Sequence, residues 1–353
     1  MLERSSTEIM EPLYMVTIND IAQNTGLSRS TVSAVLSGKT ESIRISQTTS
    51  ELIRKAADRL GYHRNSLAYQ MVTGTTNVIG FLSEDLGGTE FTGAILSGIM
   101  CESAGSGYYT KLFPYTRGHV EKNLTDIIGQ RPAGIISFAV NQPDFERIFD
   151  QLAKFGIPLL SLQNIEINRG IFVITADADG VTAAVEHLYS LGHRKIGFFT
   201  NRKSMELKSP RNEGFLNGIT KHNLSESVVI PELLDTADIE TLTRVVASKS
   251  YTAIVCDTDY NAMRILQAAA KAGVKVPGEL SVTGFANLAA VELCIPPLTT
   301  VLQPFTQWGM AAMRKLLSVI NDKSKSYLTE KIVEKIEVKL IERESTAPAY
   351  PVN

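Results

Sequence analysis

Apolar positions in residues 17–61 recur at helical spacing in three short runs, each closed by a glycine. In the first, Ile18, Ile21 and Ala22 share one face, and Thr17 with Asp20 three residues on has the form of a capping box. Gly26 ends that run, because glycine turns sharply there without a steric cost. Ser28 can cap the second, in which Thr31, Val32, Val35 and Leu36 recur among small hydroxyls until Gly38. Ser46 can cap the third, whose Leu52, Ile53, Ala56, Ala57 and Leu60 form one stripe ahead of Gly61. Two short helices joined by a four-residue turn containing glycine are the pattern of a helix-turn-helix. The second helix then exposes Arg29, Ser30, Ser33, Ala34 and Ser37, one long donor among small side chains.

The pattern changes twice more. Residues 62–76 end in a polar Gly/Thr-rich run, a linker composition, within which 65–72 can form a two-turn helix with Leu67, Ala68 and Met71 on one side. From 78 onward short apolar runs alternate with helix-period segments. Strands are expected at 78–83, 109–113, 134–138, 157–162, 171–175, 195–200, 253–257, 281–285 and 299–302. Helices are expected at 91–106, 119–130, 144–155, 180–191, 212–222, 239–248, 261–272 and 305–320. Such alternation builds parallel sheets covered by helices on both faces. Nine strands are too many for one ordinary open sheet, so two lobes are expected, with a crossover at 177–180 and later ones within 288–304 and 321–331. Residues 332–341 alternate apolar and charged positions, as an edge strand with one wet face does. The tail after 344 is polar and has no heptad pattern.

Composition narrows the chemistry. With 353 residues, 44% of them apolar, the chain can bury several cores. Its net charge is −2, yet Arg29, Lys39, Arg44, Arg54, Lys55, Arg59 and Arg64 outnumber the nearby acids, and it is local charge that neutralises phosphate. Cys101, Cys256 and Cys294 form no CxxC pair, which suits a reducing cytosol without a structural disulfide. The five histidines lack any zinc spacing, and His187 and His193 read as scaffold hydrogen-bonders. No apolar run reaches membrane-span length, and residues 1–15 carry acids where a signal peptide is apolar, so they read as a disordered extension. No P-loop, nucleophile elbow or dinucleotide fingerprint appears. Glu84 with Asp85, and Asp257 with Asp259, follow strand ends. They can serve a metal or acid–base chemistry, or simply hydrogen-bond a hydroxylated ligand or nearby backbone.

The stretches VTINDIAQNTGLSRSTVSAVLSGK, IRIS and LGYHRNSLAYQM resemble the N-terminal signature of the lac-repressor/gal-repressor (LacI/GalR) family of bacterial transcription regulators. IGFLSEDL, VEHLYSLGHRKIGFF, PRNEGF, SVTGF and IPPLTTVLQP resemble that family's core, which is similar to sugar-binding periplasmic proteins. The resemblance implies an α/β chain: a helix-turn-helix head (16–61), a hinge (62–76) and a two-lobed effector-binding and dimerisation domain (77–353). In the head it places DNA contacts at Thr17, Ser28, Arg29, Ser30, Thr31, Ser33 and Ala34. In the hinge it places them at Asn65, Ala68 and Met71, the last standing where an apolar wedge opens a base step. Effector contacts fall on Asp85, Phe91, Arg211, Thr258, Asp259 and Ala286.

Several positions depart from the pattern, among them Thr258–Asp259, which stands for a usual Asn-Asp. Ala34 replaces a usual arginine, Ser37 a usual asparagine, and Ala176–Asp177 stands for a usual Asp-Asn. Ala286 replaces a usual aspartate, which leaves Arg211 one counter-charge short. The expectation is therefore an effector that brings its own negative group, or a carboxylate from Glu84, Asp85 or Asp259. The implied function is a cytoplasmic, nucleoid-bound homodimeric repressor, controlled by a sugar-like effector, with no cofactor, metal, membrane or catalytic role. The competing readings are a ligand-binding or transport protein without a DNA role, and an enzyme on an α/β core.

Overall fold

The computed structural model describes residues 15–37, 45–62, 76–201, 209–234, 238–322 and 324–349. Asn65, Ala68, Met71, Gly38 and residues 1–14 lie outside them. Contacts divide the chain into two units, Met1–Thr75 and Thr76–Asn353.

In the first unit, caps set the helix ends. α1 (Ile18–Thr25) begins where the Asp20 carboxylate accepts from the Thr17 backbone N–H and hydroxyl, both at 2.7 Å, and ends at Gly26 with φ 68°. α2 (Arg29–Leu36) starts at Ser28, whose hydroxyl accepts from the Thr31 N–H at 3.1 Å. α3 (Gln47–Leu60) starts at Ser46 in the same way and ends at Gly61, φ 69°. Ile21, Val32, Val35, Ile53, Ala56 and Ala57 close a small core. Two expectations fail here. Leu52 is 51% exposed, because it lies about a quarter turn from the stripe that Ile53, Ala57 and Leu60 define. Ala34 is buried at 5% exposure; a one-carbon side chain does not reach past its neighbours to a surface.

The second unit alternates strand and helix. One sheet has the order β11-β5-β4-β3-β1-β2, from β1 (Val78–Ser83), β2 (Tyr109–Pro114), β3 (Gly134–Phe138), β4 (Leu159–Ser161), β5 (Gly170–Thr175) and β11 (Lys331–Ile336). The other has the order β12-β10-β9-β8-β6-β7, from β6 (Ile196–Phe199), β7 (Val228–Val229), β8 (Ala253–Cys256), β9 (Ser281–Ala286), β10 (Thr299–Leu302) and β12 (Lys339–Ile341). Among the described residues, only β12 is antiparallel to its neighbour. The helices are α4 (Glu90–Ser103), α5 (Val120–Gln130), α6 (Gln142–Lys154), α7 (Asp177–Ser190), α8 (Pro210–Lys221), α9 (Ile239–Ala247), α10 (Asp259–Ala272) and α11 (Phe305–Asn321). Phe81, Phe145 and Phe172 fill the first lobe, and Phe198, Phe215 and Phe285 the second. α4 and α11 cross so closely that a Cβ on Gly98 would lie 2.0 Å from the Thr306 carbonyl oxygen.

The chain passes between lobes three times. It crosses at Ala176, where α7 begins three residues before the expected helix start, and again at Gln303–Pro304. The third crossing is at residues 337–338 and not within 321–331, which stays with the first lobe through buried Tyr327. The expected edge strand at 332–341 is thus two strands in two sheets, β11 parallel to β5 and β12 antiparallel to β10. Period-two alternation records the pleat but not which sheet a strand joins.

The polar tail is a strap on the second lobe. Ser345 is fully buried; its hydroxyl accepts from the Thr299 N–H at 2.8 Å and donates to the Val282 carbonyl at 2.6 Å. His193, also buried, bonds Thr252 Oγ1 at 2.9 Å and the Ala347 carbonyl at 3.0 Å, and His187 bonds Thr346 at 3.0 Å. Burial holds both imidazoles below their ordinary pKa of 6.5, with the Ala347 bond opposing it at His193. The folded state therefore favours neutral rings while the unfolded chain takes up protons near 6.5. Their contribution is present above that pH and is lost as pH falls through it. Urea midpoints are expected to drop between pH 7 and 5, and the drop to shrink in His193→Gln; identical pH slopes would exclude His193 as a source.

Candidate functional site

Two surfaces carry chemistry. On the head, Arg29 is the first residue of α2 and is exposed together with Ser30 and Ser33. The Ser28 hydroxyl lies 2.8 Å from those of both Ser30 and Thr31, so this end of the helix holds a knot of hydroxyls beside one guanidinium. The Ser37 hydroxyl turns back to the Ser33 carbonyl at 2.6 Å. Arg54 and Lys55 are exposed on α3, whereas Arg59 donates to Asn24 Oδ1 at 2.6 Å and ties α3 to α1. Thr17 is spent on its cap and Ala34 is buried, so Arg29, Ser30 and Ser33 are the side chains of α2 that face outward at the helix start. A helix beginning with one long donor can place it against a base edge.

On the core, the carboxyl ends of the two sheets meet. Thr175 ends β5 and its hydroxyl accepts from Gln303 Nε2 at 3.0 Å, just beyond β10. Gln303 also donates to Asp177 Oδ1 at 2.9 Å and accepts from Arg211 Nη2 at 3.1 Å. Arg211 Nε donates to Asp177 Oδ2 at 2.9 Å, and Nη1 to the Asp257 carbonyl oxygen at 2.6 Å. Its guanidinium lies over the Phe285 ring, 4.0 Å from the centroid. Arg211 and Asp177 keep only 20% and 15% of their side-chain exposure, so the pair sits in a weakly screened place. The Asp257 carboxylate accepts from Thr200 and Asn261, both at 2.8 Å; burial raises its pKa against those bonds. On the other lobe Phe91 packs against Phe138 and Phe305, with centroids 6.2 and 5.9 Å away, and Trp308 continues the wall.

Several expected contacts serve other ends. Arg211 does not lack a counter-charge, since Asp177 supplies it; the argument for a negatively charged effector loses its premise. Asp259 is fully buried, accepting from the Leu288 N–H at 2.8 Å and the Thr300 hydroxyl at 2.5 Å, and burial raises its pKa. Asp85 accepts from the N–H groups of Gly87, Gly88 and Thr89 and from the Thr92 hydroxyl. Burial works against its charge, and those bonds still hold its pKa below the ordinary value. Thr258 caps α10 through the Asn261 N–H. Ala286 ends β9 with φ 126°, a conformation L residues rarely adopt, so the strand end there is strained into the cleft loop. Sequence reasoning missed Gln303; its signal was a lone amide between an apolar strand and Pro304.

Residues 17–65 match the family described as bacterial regulatory proteins, lacI family, and residues 185–346 match the periplasmic binding protein-like domain. The transcriptional regulator MalR of Streptomyces coelicolor is 30% identical over 314 residues, covering 85% of this chain and 89% of its own length. The chain belongs to the lacI family.

As a lacI-family member it is a DNA-binding transcription regulator with an effector-binding core. The repressor CytR of Escherichia coli is 28% identical over 316 residues, 85% of this chain and 89% of that protein. Among solved structures, the lac repressor dimer bound to operator and an anti-inducer aligns with TM-score 0.77 at 22% identity, covering 95% of this chain and all of the other. A sugar-bound relative, from Alkaliphilus metalliredigens with D-xylulofuranose, aligns with TM-score 0.61 at 28% identity over 77% of this chain and 99% of its own. In this lacI-family chain no helix among the described residues is long and apolar enough to cross a membrane.

Proposed function

We propose that this chain is a homodimeric repressor in which the head (16–61) reads a near-palindromic operator, the hinge (62–76) folds on it, and the core (77–353) binds a small sugar-like effector. It works in the cytoplasm, on the nucleoid when bound to DNA, without a cofactor or a catalytic step. The observation that carries this reading is the outer face of α2, where Arg29 stands alone as a long donor beside Ser30 and Ser33. In the cleft, the Arg211–Asp177 pair is neutral as a unit and offers both donors and an acceptor, which suits ring hydroxyls without requiring a charged ligand. Operator and effector affinities must then affect each other reciprocally. A salt titration of binding to selected genomic fragments tests the DNA role. A chain that binds no fragment more tightly than random duplex is not this regulator.

Dimerisation has a surface to use. Leu293, which ends the 3₁₀ helix after β9, and Ile295, two residues on, are 84% and 94% exposed, and two apolar side chains so open suit a self-complementary contact. Ile295→Glu is expected to shift sedimentation toward monomer and to weaken operator binding at least tenfold. An unchanged dimer would move the interface elsewhere. The hinge has its own test. Met71→Ala should weaken specific binding far more than non-specific binding, because only the specific complex bends the duplex. Equal loss on both would reduce 62–76 to a plain linker.

A further inference from the structure

We propose that Glu90 is a latch holding the two lobes closed without effector, and that Asp85 and Asp259 brace its two sides. The inference rests on the reading of the cleft as an effector site. Glu90 opens α4 in the first lobe, and its Oε1 accepts from the Ala289 N–H of the second lobe at 2.9 Å. Ala289 begins a five-residue 3₁₀ helix, Ala289–Leu293, so its amide is a terminal donor that the helix leaves free. Beside the bond, Phe305 packs against the cores of both lobes and against Phe91, the neighbour of Glu90.

Both partners are held in place before they meet. The loop ahead of Glu90 is wrapped around the Asp85 carboxylate, which takes three successive backbone N–H groups and the Thr92 hydroxyl of α4. The loop ahead of Ala289 is pinned where Asp259 takes the Leu288 N–H, and Arg343 ties Asn287, Glu292 and the Leu298 carbonyl together behind it. A Cβ on Gly284 would lie 2.3 Å from Asp259 Oδ1, so that carboxylate is seated against backbone and has no room to turn toward a ligand. Asp259, fully buried, and Asp85, half-buried, both read from sequence as effector contacts and thus have every oxygen engaged in shaping the loops whose tips touch. The backbone on each side is pre-set, so the ordering entropy lost on forming the bond is mainly that of the exposed Glu90 side chain. An effector entering the cleft must break this bond or bind around it, so the latch sets how much of the closed state exists beforehand.

The test uses one cysteine the chain already has. Cys101 is exposed on α4 of the first lobe and Cys256 is buried; Cys294, which lies between Leu293 and Ile295, is replaced by serine, and the second label goes on Lys271→Cys, exposed on α10 of the second lobe. Spin labels on these two positions, in protein diluted with unlabelled chain, report lobe separation within one subunit. Without effector, Glu90→Ala is expected to lengthen and broaden that distance and to speed exchange of the Ala289 amide about 3- to 10-fold. Glu90→Gln, which keeps a carbonyl acceptor, should fall between the two. Unchanged distances overturn the latch, whether or not the amide exchanges faster. Operator binding by the wild type, measured in parallel, separates the cases: its absence removes the regulator reading, while the distances alone decide the latch.

Discussion

Arg29→Ala is expected to cost about 1–3 kcal/mol per half-site and to relax the preference at one base pair in each. A dimer loses the contact twice, so operator affinity should fall roughly 30-fold or more. The loss is large because nothing beside Arg29 can replace it. Ser30 and Ser33 are short, and Ala34, which stands where the family pattern has an arginine, is buried in the head. A bidentate guanidinium–guanine contact discriminates one base pair, whereas a phosphate contact weakens all sequences alike. Binding to a library randomised at each position measures the difference. A uniform loss, with the salt slope reduced by about one, would move Arg29 to the phosphate backbone.

Arg211→Ala is expected to abolish stabilisation by the effector and to cost about 2–4 kcal/mol of stability without it. The guanidinium bridges Asp177, Gln303 and the Asp257 carbonyl, and removing it strands a mostly buried carboxylate and an amide oxygen. Asp177 and Gln303 lie at two of the three interlobe crossings, so the side chain links ligand binding to the pivots of lobe rotation. A thermal-shift screen of neutral sugars against their acid and phosphate derivatives, on wild type and variant, checks the ligand part. Urea midpoints check the stability part. If a neutral sugar stabilises both proteins equally while the variant unfolds like the wild type, Arg211 is neither anchor nor bridge.

Much of this protein follows from local signals. The caps at Ser28 and Ser46, the left-handed turns at Gly26 and Gly61, and the alternation of strand and helix from residue 78 are set by side chains within a few positions of each other. Hydrophobic period and turn chemistry act at that range, so the sequence by itself determined the head, the doubly wound core and the absence of known catalytic motifs. What period cannot carry is the identity of a partner across space. The strand pattern at 332–341 is uniform, yet its halves join different sheets, because sheet choice depends on which edge lies open once both lobes have closed. Asp177 and Gln303 reach Arg211 from 34 and 92 residues away, and no spacing rule links them. Asp85 and Asp259 looked like ligand groups because acids at strand ends are good ones. Only the tertiary structure shows the backbone N–H groups and hydroxyls that already bond the oxygens of each carboxylate. The buried Asp259 needs such partners because burial penalises its charge, and the half-buried Asp85 has them as well.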